Sequence, residues 1–303
     1  MPKPDLSVNI AGVTFKNPVT TASGTFGSGM EYSEFVDLNR LGAVTTKGVA
    51  STPWEGNPVP RVTEVYGGML NAIGLQNPGV EVFVKRDLEF LKQFDTRVIV
   101  NVCGRTEEEY LAVVERLAGE AVDLLEINVS CPNVKEGAIA FGQDPDALFR
   151  ITDKIRRIAA QPVIMKLTPN VTSIADMARA AEAGGADAIS LINTITGMKI
   201  DIERRSFVLA NKTGGMSGPA IKPVAVRMVW QAAQAVKIPI FGMGGIASAE
   251  DAIEFILAGA TMVAAGAMQF HNPYLTTEII DGIEAYMVRH QIARVADLIG
   301  MVR

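Results

Sequence analysis

Short apolar runs recur along the chain, each bounded by Gly, Pro or a charged turn: Val19–Ala22, Ala43–Thr46, Val98–Val102, Leu124–Ile127, Val163–Lys166, Ala188–Ile192, Ile240–Met243 and Met262–Ala265. Runs of this length without strict alternation fit strands buried on both faces. Between most of them the apolar positions recur at helical spacing, as in Ala252, Ile253, Ile256 and Leu257. Alternating strand and helix predicts a parallel sheet, and eight such units predict an α/β fold of the (β/α)8 TIM-barrel type. The expectation is one domain over residues 1–303. An open doubly wound sheet is the alternative, against which no G-x-G-x-x-G follows the first run.

Local signals agree with this pattern. Ser248 stands as N-cap before Ala249-Glu250-Asp251, and Asp144-Pro145 opens a second helix by the same logic. Gly-Ala pairs at Gly42, Gly185 and Gly259 precede strands and read as glycines ending helices in the left-handed conformation. Before the first strand, Leu6–Phe15 predicts a hairpin that turns at Ala11-Gly12 and covers the bottom of the barrel. The connections Val49–Gly79 and Ile195–Pro219, after strands two and six, are longer than a barrel requires. They are expected to be loops that wall a pocket on the catalytic face.

Composition narrows the function. The apolar fraction of 48% suits a large core, and the net charge of −5 gives no basic footprint for nucleic acid. The start, Met1-Pro2-Lys3-Pro4-Asp5, lacks a signal-peptide pattern, and no apolar stretch is long enough to cross a bilayer. A cytoplasmic protein is expected. Its two cysteines, Cys103 and Cys131, cannot supply the four ligands that an iron–sulfur cluster ordinarily takes.

In a barrel, the residues ending the strands converge on one rim: Ser23, Lys47, Asn101, Asn128, Lys166, Asn193, Gly244-Gly245 and Gly266. A lone strand-end lysine usually snorkels to water, and a lone asparagine closes a turn. Two lysines and three amides on one rim, by contrast, call for an anionic partner. Glycines after strands seven and eight suit phosphate, and Gly214–Pro219 reads as a third, flexible loop leading into a helix. A flat phosphate-bearing heterocycle such as flavin mononucleotide fits this rim, as does a sugar phosphate. Cys131, just past the fourth strand and stiffened by Pro132, stands where a reacting atom could meet it. A small buried cysteine is the plainer reading of that position.

Over nearly its whole length the chain resembles the dihydroorotate dehydrogenases. The resemblance rests on Ala22-Ser23-Gly24, Thr46-Lys47-Gly48, Asn71 through Gly79, Asn128-Val129-Ser130-Cys131-Pro132-Asn133, Lys166-Leu167-Thr168-Pro169, Asn193-Thr194, Gly214 through Gly218 and Gly242 through Ile246. It implies FMN contacts on Ser23, Lys47, Gly48, Asn101, Asn128, Lys166, Ile192, Gly218, Gly244, Gly245, Gly266 and Ala267. Substrate contacts are implied on Lys47, Asn71, Ala72, Ile73, Gly74, Leu75, Asn128, Asn193 and Thr194, with Cys131 as the base.

Within the family, a cysteine base and no membrane segment argue against the serine class. The run Val134–Gly142 resembles the NAD-linked class, although Ala138 and Ala267 replace a glycine and a threonine expected there. That class implies oxidation of dihydroorotate to orotate, and a partner subunit carrying FAD and a [2Fe–2S] cluster in a heterotetramer of two pairs. A fumarate-reducing homodimer, another FMN-barrel pyrimidine oxidoreductase and a non-catalytic barrel subunit remain as rival readings.

Overall fold

A computed structural model describes residues 3–130 and 138–302 of the chain. Every expected apolar run forms a strand to within one residue: β1 (Val19–Thr21), β2 (Ala43–Thr45), β3 (Arg97–Val102), β4 (Leu124–Asn128), β5 (Val163–Lys166), β6 (Ala188–Leu191), β7 (Ile240–Met243) and β8 (Met262–Ala265). All pair in parallel in the order β2-β3-β4-β5-β6-β7-β8-β1, with helices between, a nearly closed (β/α)8 barrel. The strands are almost wholly buried because side chains fill the barrel on one face and helices cover the other.

Hydroxyls bridge the seam between β1 and β2. Thr21 Oγ1 donates to the Thr45 carbonyl at 3.1 Å and accepts the Thr45 N–H at 3.0 Å. Thr20 and Thr45 join their hydroxyls beside it at 3.0 Å. One side chain thus takes the place of a ladder step, and the ring closes without a regular backbone pairing.

The caps form as their sequences require: Ser248 Oγ accepts the Asp251 N–H, and Asp144 Oδ1 accepts the Ala147 N–H at 2.7 Å. Gly185 and Gly259 take positive φ of 90° and 121°. Gly42 does not. It follows a 3-10 turn, and glycine is needed there because a Cβ would fall 2.1 Å from the Asn17 carbonyl oxygen. The N-terminal hairpin pairs Val8–Ile10 with Val13–Phe15, and Arg97, at the start of β3, donates to the Thr14 carbonyl. It therefore lies against the N-terminal end of the barrel.

The two long connections differ from the expected loops. Val62–Val65, Gly68–Asn71, Ile195–Met198 and Thr213–Ser217 form a four-stranded antiparallel sheet whose two halves come from different connections. Gly214 and Gly215 therefore lie in a strand and not in a flexible loop. Their glycine character is spatial, since a Cβ on Gly215 would sit 1.9 Å from Thr194 Oγ1. Among the described residues, no helix is long and apolar enough to cross a membrane.

Candidate active site

The register of the barrel decides which side chains meet. Lys166 ends β5 with Asn128 of β4 opposite it on one side and Ser190 of β6 on the other. At the C-terminal ends of the strands a cavity of about 250 Å³ opens. The four-stranded sheet walls one side through Val62, Met69, Asn71 and Ser217. The rule that barrel sites form at this face explains why insertions after β2 and β6 reach it.

Most of the residues expected at the site line this one cavity. Ser23, Lys47, Asn128, Lys166, Ile192, Gly218, Gly244, Gly245, Gly266 and Ala267 are there, together with Asn71, Ile73, Gly74, Leu75, Asn193 and Thr194. Asn101, Gly48 and Ala72 do not line it. Asn101 is fully buried one layer beneath, donating its amide to Glu126 at 2.5 Å. Gly48 backs onto that asparagine, so that a Cβ would stand 3.0 Å from Asn101 Oδ1. Ala72 is buried between Asn71 and Ile73, and its N–H is spent on the Arg61 carbonyl. Cys131 lies outside the described residues.

The amides are held by named partners. Asn193 donates to Ser130 Oγ at 2.5 Å, and that hydroxyl donates to Asn128 Oδ1 at 2.8 Å. Asn193 Oδ1 also accepts the Thr194 N–H at 2.7 Å, while Asn71 donates to the Gly215 carbonyl. Tyr110 fixes the same strand end from outside by donating to the Asn128 carbonyl at 2.8 Å. Pre-set amides of this kind orient a bound ring.

Two ammonium groups, Lys47 and Lys166, face the cavity, and no carboxylate is among its described lining residues. An acidic protein thus presents a cationic site, which suits an anionic ligand. Behind Gly245, the carboxylates of Asp251 and Glu254 each bind Lys222 at 2.6 Å. Their hydrogen bonds hold the Lys222 ammonium above the usual lysine range.

Reading the strand ends in sequence missed two side chains that organise the site. Glu126 is 2% exposed inside the barrel, and Ser130 links two amides. The signal for Glu126 was a lone carboxylate in an otherwise apolar run, two residues from Asn128 and hence on the same face. Met69, Met243 and Phe270 at the cavity wall carried no such signal.

The sequence profile described as dihydroorotate dehydrogenase matches residues 5–287. The chain belongs to the dihydroorotate dehydrogenase family. It is 73% identical over 297 residues to the dihydroorotate dehydrogenase B (NAD(+)), catalytic subunit, of Lachnoclostridium phytofermentans, covering 98% of this chain and 99% of that protein. The protein of the same description from Alkaliphilus oremlandii is 59% identical over 300 residues, covering 99% of each. In three dimensions the chain is similar to the dihydroorotate dehydrogenase of Eimeria tenella solved with ferulenol, with a TM-score of 0.83 at 24% identity. That match covers 99% of this chain and 91% of the other, and it bears on the fold.

Family membership implies FMN as cofactor, and the residues present fit it. Gly218, Gly244 and Gly245 have φ of 107°, 123° and 83°, so backbone forms the wall where a phosphate would approach the helix Lys222–Ala233. The two lysines at its lining, with no carboxylate among the described lining residues, suit both a phosphate and a ring that gains negative charge.

Proposed function

We propose that this chain is the catalytic subunit of an NAD-linked dihydroorotate dehydrogenase, oxidising (S)-dihydroorotate to orotate in pyrimidine biosynthesis, with its electrons passing to NAD through a partner subunit. The observation that carries the reading is the cavity itself: Lys47 and Lys166 with Asn71, Asn128 and Asn193 around one pocket in a chain of this family. The 73% identical relative, a dihydroorotate dehydrogenase B (NAD(+)), catalytic subunit, supports the NAD-linked class.

FMN, when bound, supplies the acceptor for the hydride leaving C6 of the substrate. Every other part of the reaction falls to the chain. Lys47 meets the substrate carboxylate, while Asn71, Asn128, Asn193 and Thr194 orient the ring, with Ala72 and Ile73 through Leu75 shaping the adjoining wall. Cys131 removes the C5 proton as general base. Lys166 balances negative charge at the cofactor, and Ser23, Asn128 and Ile192 hold its ring. Gly218, Gly244, Gly245, Gly266 and Ala267 hold its phosphate through backbone N–H groups. Asn101 and Gly48 act from beneath, where the structure buries them.

With two cysteines this chain cannot build an ordinary four-ligand cluster. We therefore assign FAD and a [2Fe–2S] cluster to the partner, in a cytoplasmic heterotetramer of two catalytic and two electron-transfer subunits. The barrel over residues 1–303 is one FMN-binding domain in this reading.

The test is direct. Purified protein should be yellow, carry one FMN per chain and bleach when dihydroorotate is added without air. NAD reduction should appear only after the partner subunit is added. Protein that cannot be reconstituted with FMN would remove the flavin reading, and fumarate reduction by the isolated chain would move it to the homodimeric class.

A further inference from the structure

Inside the barrel, directly beneath the cavity floor, Glu126 collects donors from three neighbouring strands. Its Oε2 accepts Asn101 Nδ2 of β3 at 2.5 Å and Lys166 Nζ of β5 at 3.4 Å, and its Oε1 accepts Ser190 Oγ of β6 at 2.7 Å. Glu126 is 2% exposed, Lys166 4%, and Asn101 and Ser190 are fully buried. The carboxylate does not line the cavity, whereas the lysine above it does.

The arrangement is hard to account for by stability. Barrel interiors are ordinarily filled by branched apolar side chains, and a buried ion pair is commonly matched or bettered by apolar residues of similar volume. The geometry is also lopsided. Two neutral donors sit close to the carboxylate, while the ammonium stands at 3.4 Å, beyond the 2.7–2.9 Å typical of a charge-assisted N–H···O bond. An ammonium has three donors, and this one is anchored from below while its head reaches the cavity.

We propose that Glu126 is a positioning residue for the oxidation, acting through Lys166: it fixes the ammonium beneath the flavin and offsets part of its charge. The pair thereby sets how strongly the site favours the reduced cofactor. Asn101 and Ser190 hold the carboxylate so that it does not close fully onto the lysine. The inference rests on the flavin reading of the cavity given above.

Glu126→Gln keeps the shape and removes the charge, leaving Lys166 uncompensated. The two-electron midpoint potential of the bound FMN should rise, with the reduction equilibrium shifted about tenfold toward the reduced form, or ~30 mV. In a Lys166→Met background the same change should give less than half that shift. Ser190→Ala leaves the carboxylate charged and lets it turn toward the lysine, so its shift should be opposite in sign and about threefold, or ~14 mV. Opposite signs from two neighbouring substitutions are not what general loosening of the barrel would produce.

The measurement is a dye-equilibrated potential titration of flavin-loaded protein, with thermal melting alongside. A Glu126→Gln protein that melts lower but keeps its potential overturns the proposal, as do equal shifts with and without Lys166. Should Glu126→Gln fail to fold, Ser190→Ala decides alone, and an unmoved or raised potential there overturns the proposal. Wild-type protein that holds no flavin overturns the cofactor reading and this inference together.

Discussion

Asn193 donates its side-chain amide to the hydroxyl of Ser130 at 2.5 Å, and through that hydroxyl it is tied to Asn128 on the far side of Lys166. One small side chain thus sets the spacing of two amides that the proposed reaction uses to hold the substrate ring. Ser130→Ala removes this acceptor from the half-buried Asn193 amide and leaves it only the Ser130 carbonyl at 3.4 Å, at a cost of about 0.5–1.5 kcal/mol spread over folding and binding. The expected result is a KM for dihydroorotate raised several-fold with FMN content unchanged. Steady-state kinetics beside a flavin count would show it, and an unchanged KM would mean the amides are fixed by other contacts.

The seam of the barrel makes a separate prediction about stability. Thr21 Oγ1 serves both the N–H and the carbonyl of Thr45, so Thr21→Val keeps the volume but strands two buried backbone groups. The loss should be about 1–3 kcal/mol in urea unfolding. Thr20→Val removes only a hydroxyl pair at the same seam and should cost less, about 0.5–1.5 kcal/mol. Equal losses would show that β1 and β2 are held by packing.

Two glycines distinguish the two halves of the site. In Gly245→Ala the new Cβ meets the Gly218 carbonyl at 2.8 Å at a φ of 83°, which distorts the backbone assigned to phosphate. Strain of about 1–3 kcal/mol predicts roughly tenfold or greater loss of FMN affinity. In Gly215→Ala the Cβ instead strikes Thr194 Oγ1, so the effect should fall on the substrate KM while the flavin is retained. Titration of apoprotein with FMN and steady-state kinetics separate the two, and a reversed pattern would exchange the assigned roles.

What could be read from the chain follows from where its information is local. The eight barrel strands are continuous apolar runs because both of their faces are buried, and their ends then name most of the cavity lining. The four-stranded sheet escaped because Gly68–Asn71 and Thr213–Ser217 pair across a long sequence separation, and Gly214-Gly215 imitates a turn. Asn101, from its place at a strand end, and Ala72, from the family resemblance, were expected at the surface of the cavity. Depth within the barrel and the alternation of a wall strand place them one layer away. Gly42 shows the same limit at another scale, since its glycine answers to the Asn17 carbonyl, a contact made by a distant segment.

Lys222 offers a prediction with a definite pH sign. Its ammonium bonds to Asp251 and Glu254 and titrates above the usual lysine range because of them. Stability from a raised lysine is fully present below the unfolded value of ~10.4 and is lost as pH rises through the higher folded value. Lys222→Met should therefore be less stable than wild type at pH ~8 by about 1 kcal/mol or less, since these pairs are partly exposed. The deficit should shrink as the pH is taken beyond the lysine range. A deficit that holds constant in urea melts at high pH would mean that the lysine stem, and not its charge, does the stabilising.

Cys131 directly follows Ser130, whose hydroxyl the two asparagines hold. A thiol in water titrates near ~8.5, so at neutral pH only a minor share is thiolate, the form able to take the C5 proton. Flavin bleaching by dihydroorotate should therefore speed up as pH rises toward that range. Cys131→Ala should keep the flavin spectrum while bleaching slows by roughly a hundredfold or more, as loss of a general base does. Cys131→Ser should keep a small residual rate, largest at high pH, because an alkoxide forms far less readily than a thiolate. Anaerobic stopped-flow across pH on the three proteins reads this out, and near-wild-type bleaching by the Ala variant at neutral pH would assign the proton to another group.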